Sequence, residues 1–420
     1  MYTKLTTVIA ESGMWDGARK ETHKFLLSPS VYQVTETKRQ ELSQLGMAIY
    51  DCLLGLSHIA VIAYDPSLNY GGQWAFARKV FSTGVPKIYQ ALQGMNVRHI
   101  PKLLKVDFMV DQNGDFKIAE IDGHNKHGLG YSSLALRFRE ALYPEAEVLP
   151  GTVKTLALEI KRLGHEEIKL FYADQERFYV PEFEVARQEF TKHGIRCVVK
   201  GEMEADESFI EEGLFLDLPF LYHRTHFYEK IISAYKNGKV EFIIPPKPFL
   251  GSKGVLALLR NDGGDEHLEA LLLSFIKKTS LSLVRRFIPE TLLVGRHAEK
   301  IGSIRSRLSQ KRFVLKESIS SGMKGTAFSD DDDFEESLSR ACESNMNWIL
   351  QEEVINCPQT FSWFEKINGS DPELRTADDW CMRVTTQYVN RKLADAVITA
   401  RRDKAVHGAK DCIQIGTIIL

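Results

Sequence analysis

The chain has 420 residues, of which 44% are hydrophobic and 26% are charged, and its net charge is −2. This composition is typical of a globular protein of two or three domains, and it excludes a strongly basic surface for nucleic acid or anionic membrane. The apolar runs are too short to span a membrane, and the first residues lack the apolar core of a signal peptide. The six cysteines form no CxxC or CxxH pair, so we expect a reducing, cytoplasmic location.

The first 100 residues are predicted to be mainly helical, with long segments at 36–56 and 73–94. We expect this region to contribute to a substrate pocket. Residues 101–150 then contain a predicted hairpin, a Gly-rich turn and a helix at about 131–142. A change of composition at 143–151 (YPEAEVLPG) marks a domain boundary.

The predicted hairpin spans 105–122 and reads KVDFMVDQNGDFKIAEID. Asn113-Gly114 favours a two-residue turn, because both central positions of that turn need a positive φ. Such a turn sets Asp107 opposite Glu120. Opposed side chains lie roughly 4.5–5.5 Å apart at Cβ, and like charges repel at that distance. The pair therefore indicates a compensating divalent metal, although acids on a hairpin commonly just face solvent.

The same turn sets Lys105 opposite Asp122, so that this lysine supplies one compensating charge and this aspartate a third metal-ligand oxygen. On the other side of the hairpin we expect an apolar, core-facing surface. Its members are Val106, Phe108, Ala119 and Ile121.

Residues 151–250 alternate between predicted helices and strands. The helices are at 155–163 and 180–193, and the strands are at 168–174, 195–200 and 213–224. This alternation predicts a small α/β domain with parallel strands. The first strand is not followed by a GxGxxG loop, so the sequence does not favour a dinucleotide-binding unit here. The Pro/Gly-rich stretch at 242–254 marks the next boundary.

Residues 251–365 are predicted to form one further unit, and residues 366–420 a set of closing strands. The predicted helices are at 254–260, 265–278 and 331–344, with a strand or linker around 286–294. Strand–loop–strand is predicted for 311–328 and a strand for 347–355. The end of the chain predicts a hairpin over 382–401, with Asn390–Lys392 between its strands, and a strand at 412–420.

The segment FVLKESISSGMKG places Lys316 at the end of an apolar strand, before a small, flexible loop. That loop can turn backbone N–H groups around phosphates, and it carries a second lysine. Its candidate phosphate contacts are Ser321, Gly322, Lys324 and Gly325. The pattern is not a Walker A loop, because no helix follows it. The alternative is an ordinary β-turn.

The segment WILQEEVINCPQTF is an apolar strand with a polar end. Glu352, Glu353 and Ile355 are candidates for a hinge that meets the edge of a nucleotide base, and Gln359 is a candidate for the ribose. An edge strand with a polar end is the alternative.

Together these motifs resemble the ATP-grasp superfamily, in which a strand lysine and a glycine loop hold phosphates and a Glu-rich strand end holds adenine. KVD (105–107) and EID (120–122) resemble its metal-binding strands. The resemblance implies that Asp107, Glu120 and Asp122 hold Mg²⁺. Arginine and asparagine are usual where this chain has Lys105 and Asp122.

The order of the motifs resembles the circularly permuted members of the superfamily, which include glutathionylspermidine-synthetase-like proteins, because the metal hairpin comes first. The implied fold is α+β with an α/β insert, in which two subdomains clasp a nucleotide cleft. An arginine-bearing strand and a lysine-bearing helix start also match this group. They place Arg224 at a substrate and Lys253 at the nucleotide. The closing strands must then pair beside the hairpin.

The resemblance implies an ATP- and Mg²⁺-dependent ligase that joins a carboxylate, through an acylphosphate, to an amine or similar nucleophile. Lys105, Arg383 and Arg401 are the candidates for stabilising the transferred phosphoryl group. The expected partners are small-molecule or peptide substrates, with no nucleic acid and no membrane, and a homodimer is the default for an enzyme of this size. The alternatives are a phosphotransferase on the same fold and a non-catalytic nucleotide-binding homologue.

Overall fold

The computed structural model describes residues 1–16, 24–64, 80–82, 85, 89–90, 92, 95–219, 227–295, 301–320, 325–366, 371–408 and 411–420, with the backbone alone at 301 and 303. Four predicted site residues lie outside this part of the chain, as does most of the predicted helix 73–94. They are Arg224, Ser321, Gly322 and Lys324.

The strands of the described chain are short except near the C-terminus. They are β1 (Tyr32–Val34), β2 (Leu103–Val110), β3 (Phe116–Asp122), β4 (Glu167–Tyr172), β5 (Arg196–Gly201), β6 (Gly213–Phe215), β7 (Val240–Phe242), β8 (Thr291–Val294), β9 (Phe313–Glu317), β10 (Thr326–Phe328), β11 (Trp348–Glu352), β12 (Gln359–Glu365), β13 (Glu373–Val389), β14 (Lys392–Arg401) and β15 (Ile413–Ile419).

The helices of the described chain lie between and around these strands. The α-helices span Tyr2–Ser12, Glu36–Tyr64, Leu129–Leu142, Thr152–Arg162, Val180–Lys192, Glu207–Ile210, Phe227–Lys236, Gly254–Arg260, Glu266–Phe275, Lys278–Phe287, Ile301–Leu308 and Phe334–Glu343. Two 3₁₀ helices span Asp174–Tyr179 and Pro248–Gly251.

The largest sheet joins the two ends of the described chain. Its order is β1-β15-β14-β13-β2-β3, and β12 pairs with β13. Strand β13 runs antiparallel to β2 and sets Thr385 opposite Asp107. The prediction that the closing strands pair beside the 105–122 hairpin is therefore confirmed, and residues almost 280 positions apart share one surface.

The β2–β3 hairpin keeps the predicted pairs but reaches them differently. Asp107 lies opposite Glu120 and Lys105 opposite Asp122, as predicted. The predicted two-residue turn is wrong: Asp111 N–H binds Asp115 C=O, so the loop has three residues and ends at Gly114, whose φ is +82°. A register shift after Asp107 then restores the pairing.

That register shift also changes the core face of the hairpin. Val106, Phe108 and Ile121 are buried, as predicted. Ala119 is the extra residue of the bulge, so it borders the open side of the sheet instead of the core, and Ile118 takes the buried position opposite Phe108. A bulge reverses the in–out alternation locally, which simple alternation cannot anticipate.

The β13–β14 hairpin has the tight turn that was expected in the first hairpin. Val389 pairs with Lys392, which leaves Asn390 and Arg391, at φ 45° and 73°, as a two-residue turn with both φ values positive. Lys392 thus belongs to the strand and not to the turn.

Two smaller sheets complete the described fold. The order β5-β4-β6-β7 is parallel throughout, as the helix–strand alternation predicts. The other sheet, β10-β9-β11-β8, is antiparallel and carries Lys316 at the end of β9. Of the segment predicted as a strand at 213–224, residues 220–224 lie outside the described chain, and within 213–219 the strand spans Gly213–Phe215.

The helix Glu36–Tyr64 runs through the main core and continues past its predicted end at 56. Its stretch Glu36–Ala63 has the length and hydropathy of a membrane span, but 67% of the apolar window is buried inside the protein. Gly46 lets it pack closely, because a Cβ there would lie 2.2 Å from the ring of Tyr388. This burial is that of a core helix.

The predicted strand or linker at 286–294 is wrong over its first part. The structure has a helix at Lys278–Phe287, and β8 begins only at Thr291. That helix buries Ser280, Leu281, Val284 and Phe287, a helical spacing that its polar residues concealed in the sequence. The helix Ile301–Leu308 and strand β12 were also not predicted.

Candidate functional site

One cavity of about 730 Å³ lies between the main sheet and the sheet that carries β9 and β11. The hairpin carboxylates line one side and Lys316 lines the other. The cavity volume is within the ordinary range for small-molecule sites, about 300–1,000 Å³. Two pieces of chain about two hundred residues apart thus face one cleft, as the sequence predicts.

Asp107 and Glu120 are opposed on the hairpin and both border the cleft. Asp107 accepts a hydrogen bond from Thr385 Oγ1 at 2.5 Å and lies 3.5 Å from Arg383 Nη1. Glu120 lies 3.0 Å from Lys253 Nζ. Each carboxylate therefore has at least one positive or hydrogen-bonding neighbour on the wall of the cleft.

Asp122 does not join them in a three-carboxylate group. It lies 2.8 Å from Lys105 Nζ and 2.9 Å from His124 Nδ1, and it accepts from Asn125 at 2.8 Å. Burial alone would raise its pKa, but the charges of Lys105 and His124 outweigh burial and hold that pKa well below its usual range. In the described chain no group of three His, Cys, Asp or Glu side chains is arranged to hold a metal ion.

The ammonium group of Lys105 is fully used by hydrogen bonds within the protein. Its ammonium group contacts Asp122, donates to Asn125 Oδ1 at 2.7 Å and donates to the His127 carbonyl at 2.8 Å. An ammonium has three protons, and all three have partners. The prediction that Lys105 stabilises a transferred phosphoryl group does not fit this arrangement. The segment 124–127, which follows Asp122 directly, carried the local signal: polar side chains two or three residues after an aspartate commonly bind it.

Lys316 is the reverse case. Its Nζ donates to Gln351 Oε1 at 2.7 Å and to the Ala119 carbonyl at 3.4 Å, and both acceptors are neutral. Burial, together with the nearby charge of Lys253, lowers its pKa to about 8. A desolvated cation held by neutral oxygens at the edge of a cleft is suited to an anionic ligand.

Lys253 lies at the start of the helix Gly254–Arg260 and reaches into the same cleft. Its Nζ contacts Glu120 and donates to the Ser320 carbonyl at 3.2 Å. Its backbone N–H donates to Ser318 C=O, which fixes it beside the end of β9. Gly325 follows the loop with φ +66°, and a Cβ there would lie 2.9 Å from Glu317 Cβ, so glycine is required; it does not line the cleft.

The end of β11 forms the opposite end of the cleft. Glu352, Glu353 and Ile355 all line it. No hydrogen bond within the described residues engages the Glu353 C=O or the Ile355 N–H. The side chains of Glu352 and Glu353 are held by Lys311 and Arg312, at 3.1 and 2.9 Å. A backbone acceptor and a backbone donor two residues apart are thus presented beside apolar walls.

Gln359 is not part of the cleft lining. Its amide donates to the carbonyls of Cys357 and Pro358, both at 3.2 Å, and it begins strand β12. Gln359 thus does not line the cleft in this arrangement, and its contact with a ribose remains a prediction. Asn356, three residues earlier, does line the cleft.

Arg383 and Arg401 were expected at opposite ends of the last hairpin, but they share its open end, since Arg383 pairs with Thr399 and Arg401 with Cys381. Arg383 lines the cleft, and its Nε is buried without a hydrogen-bond partner in the described chain. Arg401 does not line it. Arg401 instead binds Asp411, at 2.9 Å, and the Ala405 carbonyl, and thereby holds the loop 404–408 at the cleft wall.

Several residues of the cleft were not found by sequence reasoning. They are Thr385, Gln351, Arg312, Lys404, His127 and Glu182. Thr385 pairs with Asp107 across β13 and β2, and paired residues face the same side of a sheet. Thr385 could therefore be identified only once the register of β13 was known. Lys404 contacts Asp330 and Asp331, which follow β10 of the antiparallel sheet, at 2.5 and 3.0 Å. No local sequence motif predicts that contact.

Comparison with protein-family models gives no match, and comparison with curated proteins gives none. Among solved structures, the chain is similar to one named "Putative gamma-glutamylcysteine synthetase", from Methylobacillus flagellatus KT. The two sequences are 10% identical, and the match covers 92% of this chain and 89% of that chain with a TM-score of 0.37. A likeness at this level carries no argument, so the function is inferred from the site alone.

Proposed function

We propose that this protein is an ATP- and Mg²⁺-dependent ligase that joins a carboxylate, through an acylphosphate, to an amine or similar nucleophile and releases ADP and phosphate. The observation that carries the proposal is the pairing across one cleft: two opposed carboxylates on one wall face a lysine with neutral partners on the other. Such a pairing is suited to a polyphosphate with a divalent cation.

The residues around Lys316 fit a triphosphate. Lys316 has no carboxylate partner, Arg383 Nε has no partner in the described chain, and Lys253 is shared with Glu120 alone among the carboxylates. Buried donors without acceptors cost free energy, and phosphate oxygens would satisfy them. We expect these three cations to bind the phosphates.

Asp107 and Glu120 fit Mg²⁺ better than a set of three carboxylates would. Mg²⁺ is commonly held by one or two carboxylates, with phosphates and water completing its shell. When bound, it would neutralise charge on the phosphate oxygens during phosphoryl transfer. Asp122, committed to Lys105 and His124, would position the hairpin instead of binding the ion.

The base would bind at the end of β11. The Glu353 C=O and the Ile355 N–H have the acceptor–donor spacing that an adenine edge requires, and apolar side chains, including Val314 and Phe328, line the same part of the cleft. Enclosure between two lobes excludes water, which protects an acylphosphate from hydrolysis. Thr385 and Arg383 would keep Asp107 oriented while the carboxylate substrate attacks the terminal phosphoryl group.

The test is the double variant Asp107→Asn with Glu120→Gln. We expect it to lose Mg²⁺-dependent ATP turnover and the thermal stabilisation by Mg·ATP, while the unliganded fold is retained. Saturation at a hundredfold over the dissociation constant stabilises a protein by about 2.7 kcal/mol, which a thermal-shift assay resolves.

Asp115→Asn, an exposed carboxylate in the loop of the same hairpin, is the matched control and should behave as the parent. If the double variant binds and consumes ATP at the parent rate, the metal assignment fails. Product analysis then separates the alternatives. A phosphotransferase gives a phosphorylated acceptor and no coupled product. The non-catalytic homologue, which the committed state of Lys105 favours, binds Mg·ATP without turnover.

A further inference from the structure

The cleft continues beyond the carboxylates and Lys316 into a chamber with aromatic walls. The chamber is lined by Phe25, His127, Tyr131, Phe178, Tyr179 and Glu182. The rings support each other: His127 stacks on Tyr179 at 4.0 Å, and Phe178 meets Tyr179 edge-on at 5.2 Å. No part of the proposed nucleotide site uses these residues.

Glu182 is the carboxylate of this chamber and is completely buried. It lies in the helix Val180–Lys192, against which the helix Leu129–Leu142 packs closely. Gly130 allows that approach, because a Cβ there would lie 2.1 Å from the Glu182 carbonyl oxygen. The Gly128 N–H donates to Glu182 Oε1. Within the described chain, Oε2 makes no hydrogen bond of normal geometry, although the Gly130 N–H is close enough to lower the pKa of the carboxyl group. No cation of the described chain lies within ion-pair distance of this carboxylate.

A buried carboxylate without a counter-ion is costly, and the structure shows the consequence. Burial raises the pKa of Glu182 to about 7, against the opposing effects of the Gly128 and Gly130 N–H groups and the charges of Lys105 and Lys126. The neighbouring lysines cannot serve as counter-ions, because Lys105 is bound to Asp122 and Lys126 to Glu176 and Asp217.

One peptide group joins the chamber to the carboxylate end of the hairpin. The His127 C=O accepts from Lys105 Nζ, and the Gly128 N–H of the same peptide donates to Glu182. Glu182 therefore lies one peptide plane from Lys105, which pairs with Asp122 in the hairpin that also carries Asp107. A ligand in the chamber would end close to the site of phosphoryl transfer.

We propose that this chamber is the acceptor site and that it takes a primary ammonium group, with Glu182 as its counter-ion and proton acceptor and the aromatic rings as its walls. The inference rests on the proposed function and names its nucleophile as an amine, not a thiol or alcohol. A cation gains from a buried carboxylate and from aromatic faces at the same time, whereas a neutral nucleophile gains from neither charge effect.

The proton balance is simple. The ammonium gives one proton to Glu182 Oε2, and the amine lone pair then forms the C–N bond at the acyl carbon. The bond from that carbon to the phosphate oxygen breaks, and the departing phosphate takes the second N–H proton. A general base works best when its pKa is near the working pH, which suits Glu182.

The probe is n-butylamine, with n-butanol as its neutral analogue, titrated by NMR into the protein with Mg²⁺ and a nonhydrolysable ATP analogue bound. We expect the parent to bind the amine and Glu182→Gln to bind it about tenfold more weakly or worse. Glutamine keeps the acceptor for Gly128, so the fold should persist. Glu184→Gln, which removes a partly exposed carboxylate bound to Arg187 on the same helix, is the matched control and should bind as the parent.

A pH series tests the charge directly. Within the described chain, the charged or titratable groups around Glu182 or on the walls of the same chamber are Lys24, Lys105, Lys126, His127, Tyr131 and Tyr179. Burial lowers the pKa of His127, so it is neutral near pH 7, and the amine stays protonated because its pKa is about 10, as for a lysine side chain. Amine affinity should therefore fall as pH drops through about 7 in the parent and stay flat in Glu182→Gln.

Equal amine affinity in the parent and Glu182→Gln, or equal affinity for the amine and n-butanol, would overturn the inference. So would the absence of amine binding by the parent at the solubility limit. Mg·ATP stabilisation of Glu182→Gln is measured in parallel. If that stabilisation is present while the amine results fail, the acceptor assignment is wrong and the proposed function is untouched. If it is absent in the parent, the proposed function itself is wrong.

Discussion

Two lysines, about two hundred residues apart, have different electrostatic environments. Lys126 is fully buried, with Glu176 and Asp217 each 3.2 Å from its Nζ. Lys316 is half-buried, and within the described chain its Nζ donates to the neutral oxygens of Gln351 and Ala119 and forms no ion pair. Burial alone would lower both pKa values, but for Lys126 the charges of Asp217 and Glu176 outweigh burial and raise its pKa, whereas that of Lys316 falls to about 8.

The difference separates a structural charge from one that awaits a ligand. Lys126 is already neutralised by the parallel-sheet region, because Glu176 lies in the 3₁₀ helix Asp174–Tyr179 and Asp217 follows β6. It therefore ties the segment after the hairpin to that region. Within the described chain Lys316 forms no ion pair, and the charges of Glu120 and Asp107 only partly oppose the lowering of its pKa by burial, so an added anion would stabilise its charge further. Removing each lysine should have opposite consequences for stability and ligand binding.

The largest effect is expected from Lys126→Met. It leaves Glu176 and Asp217 buried without their cation, and breaking a buried ion pair in this way costs roughly 3–5 kcal/mol. Guanidinium denaturation should show that loss in the free energy of unfolding. If the free energy of unfolding falls by less than about 1 kcal/mol, water or His127, which lies 2.8 Å from Glu176, compensates the two carboxylates. Lys126 would then not have the structural role that we assign to it.

Lys316→Met should leave the free energy of unfolding unchanged or slightly raised, because it removes a partly buried charge that forms no ion pair within the described chain. Its effect should appear in Mg·ATP affinity, because the variant loses a charge-assisted hydrogen bond worth about 1.5–3 kcal/mol. The dissociation constant for Mg·ATP should therefore rise roughly tenfold to hundredfold. Calorimetric titration measures it. Lys316→Arg keeps the charge and is the control. If Lys316→Met is strongly destabilised but binds Mg·ATP as the parent does, Lys316 has a structural role like that of Lys126.

The smallest effect is a pH dependence. Between pH 8 and the ordinary lysine value of 10.5, the unfolded chain holds a proton at Lys316 that the folded chain has lost. Stability without ligand should therefore rise with pH across that window, and Mg·ATP affinity should fall as the cation is lost. Urea denaturation and titration at several pH values check both slopes. In Lys316→Arg, neither stability nor Mg·ATP affinity should show this change between pH 8 and 10.5, because arginine stays charged. If the pH profile of that variant equals that of the parent, Lys316 is not the titrating group.

Short-range pattern was enough for the elements of the site. The Asn113-Gly114 turn signal predicts the opposition of Asp107 and Glu120, and helix–strand alternation predicts the parallel sheet, because both depend on patterns within a few residues. The β2–β3 hairpin shows the limit of such patterns, because its three-residue loop shifts the register by one residue and the bulge at Ala119 restores it. The pairs are right although the turn is wrong, since tertiary packing of Phe108 and Ile118 sets the register.

What the sequence by itself determined is which residues have the chemistry: the acids of the hairpin, Lys316 after an apolar strand, and the Glu-rich end of β11. Only the tertiary structure decided their use. It bound Lys105 to Asp122, directed Gln359 away, and left Glu182 buried without a cation beside the cleft. The physical reason is that the environment of a charge is set by its neighbours in space, and some of those neighbours, such as the Gly128 N–H beside Glu182, come from segments tens of residues away.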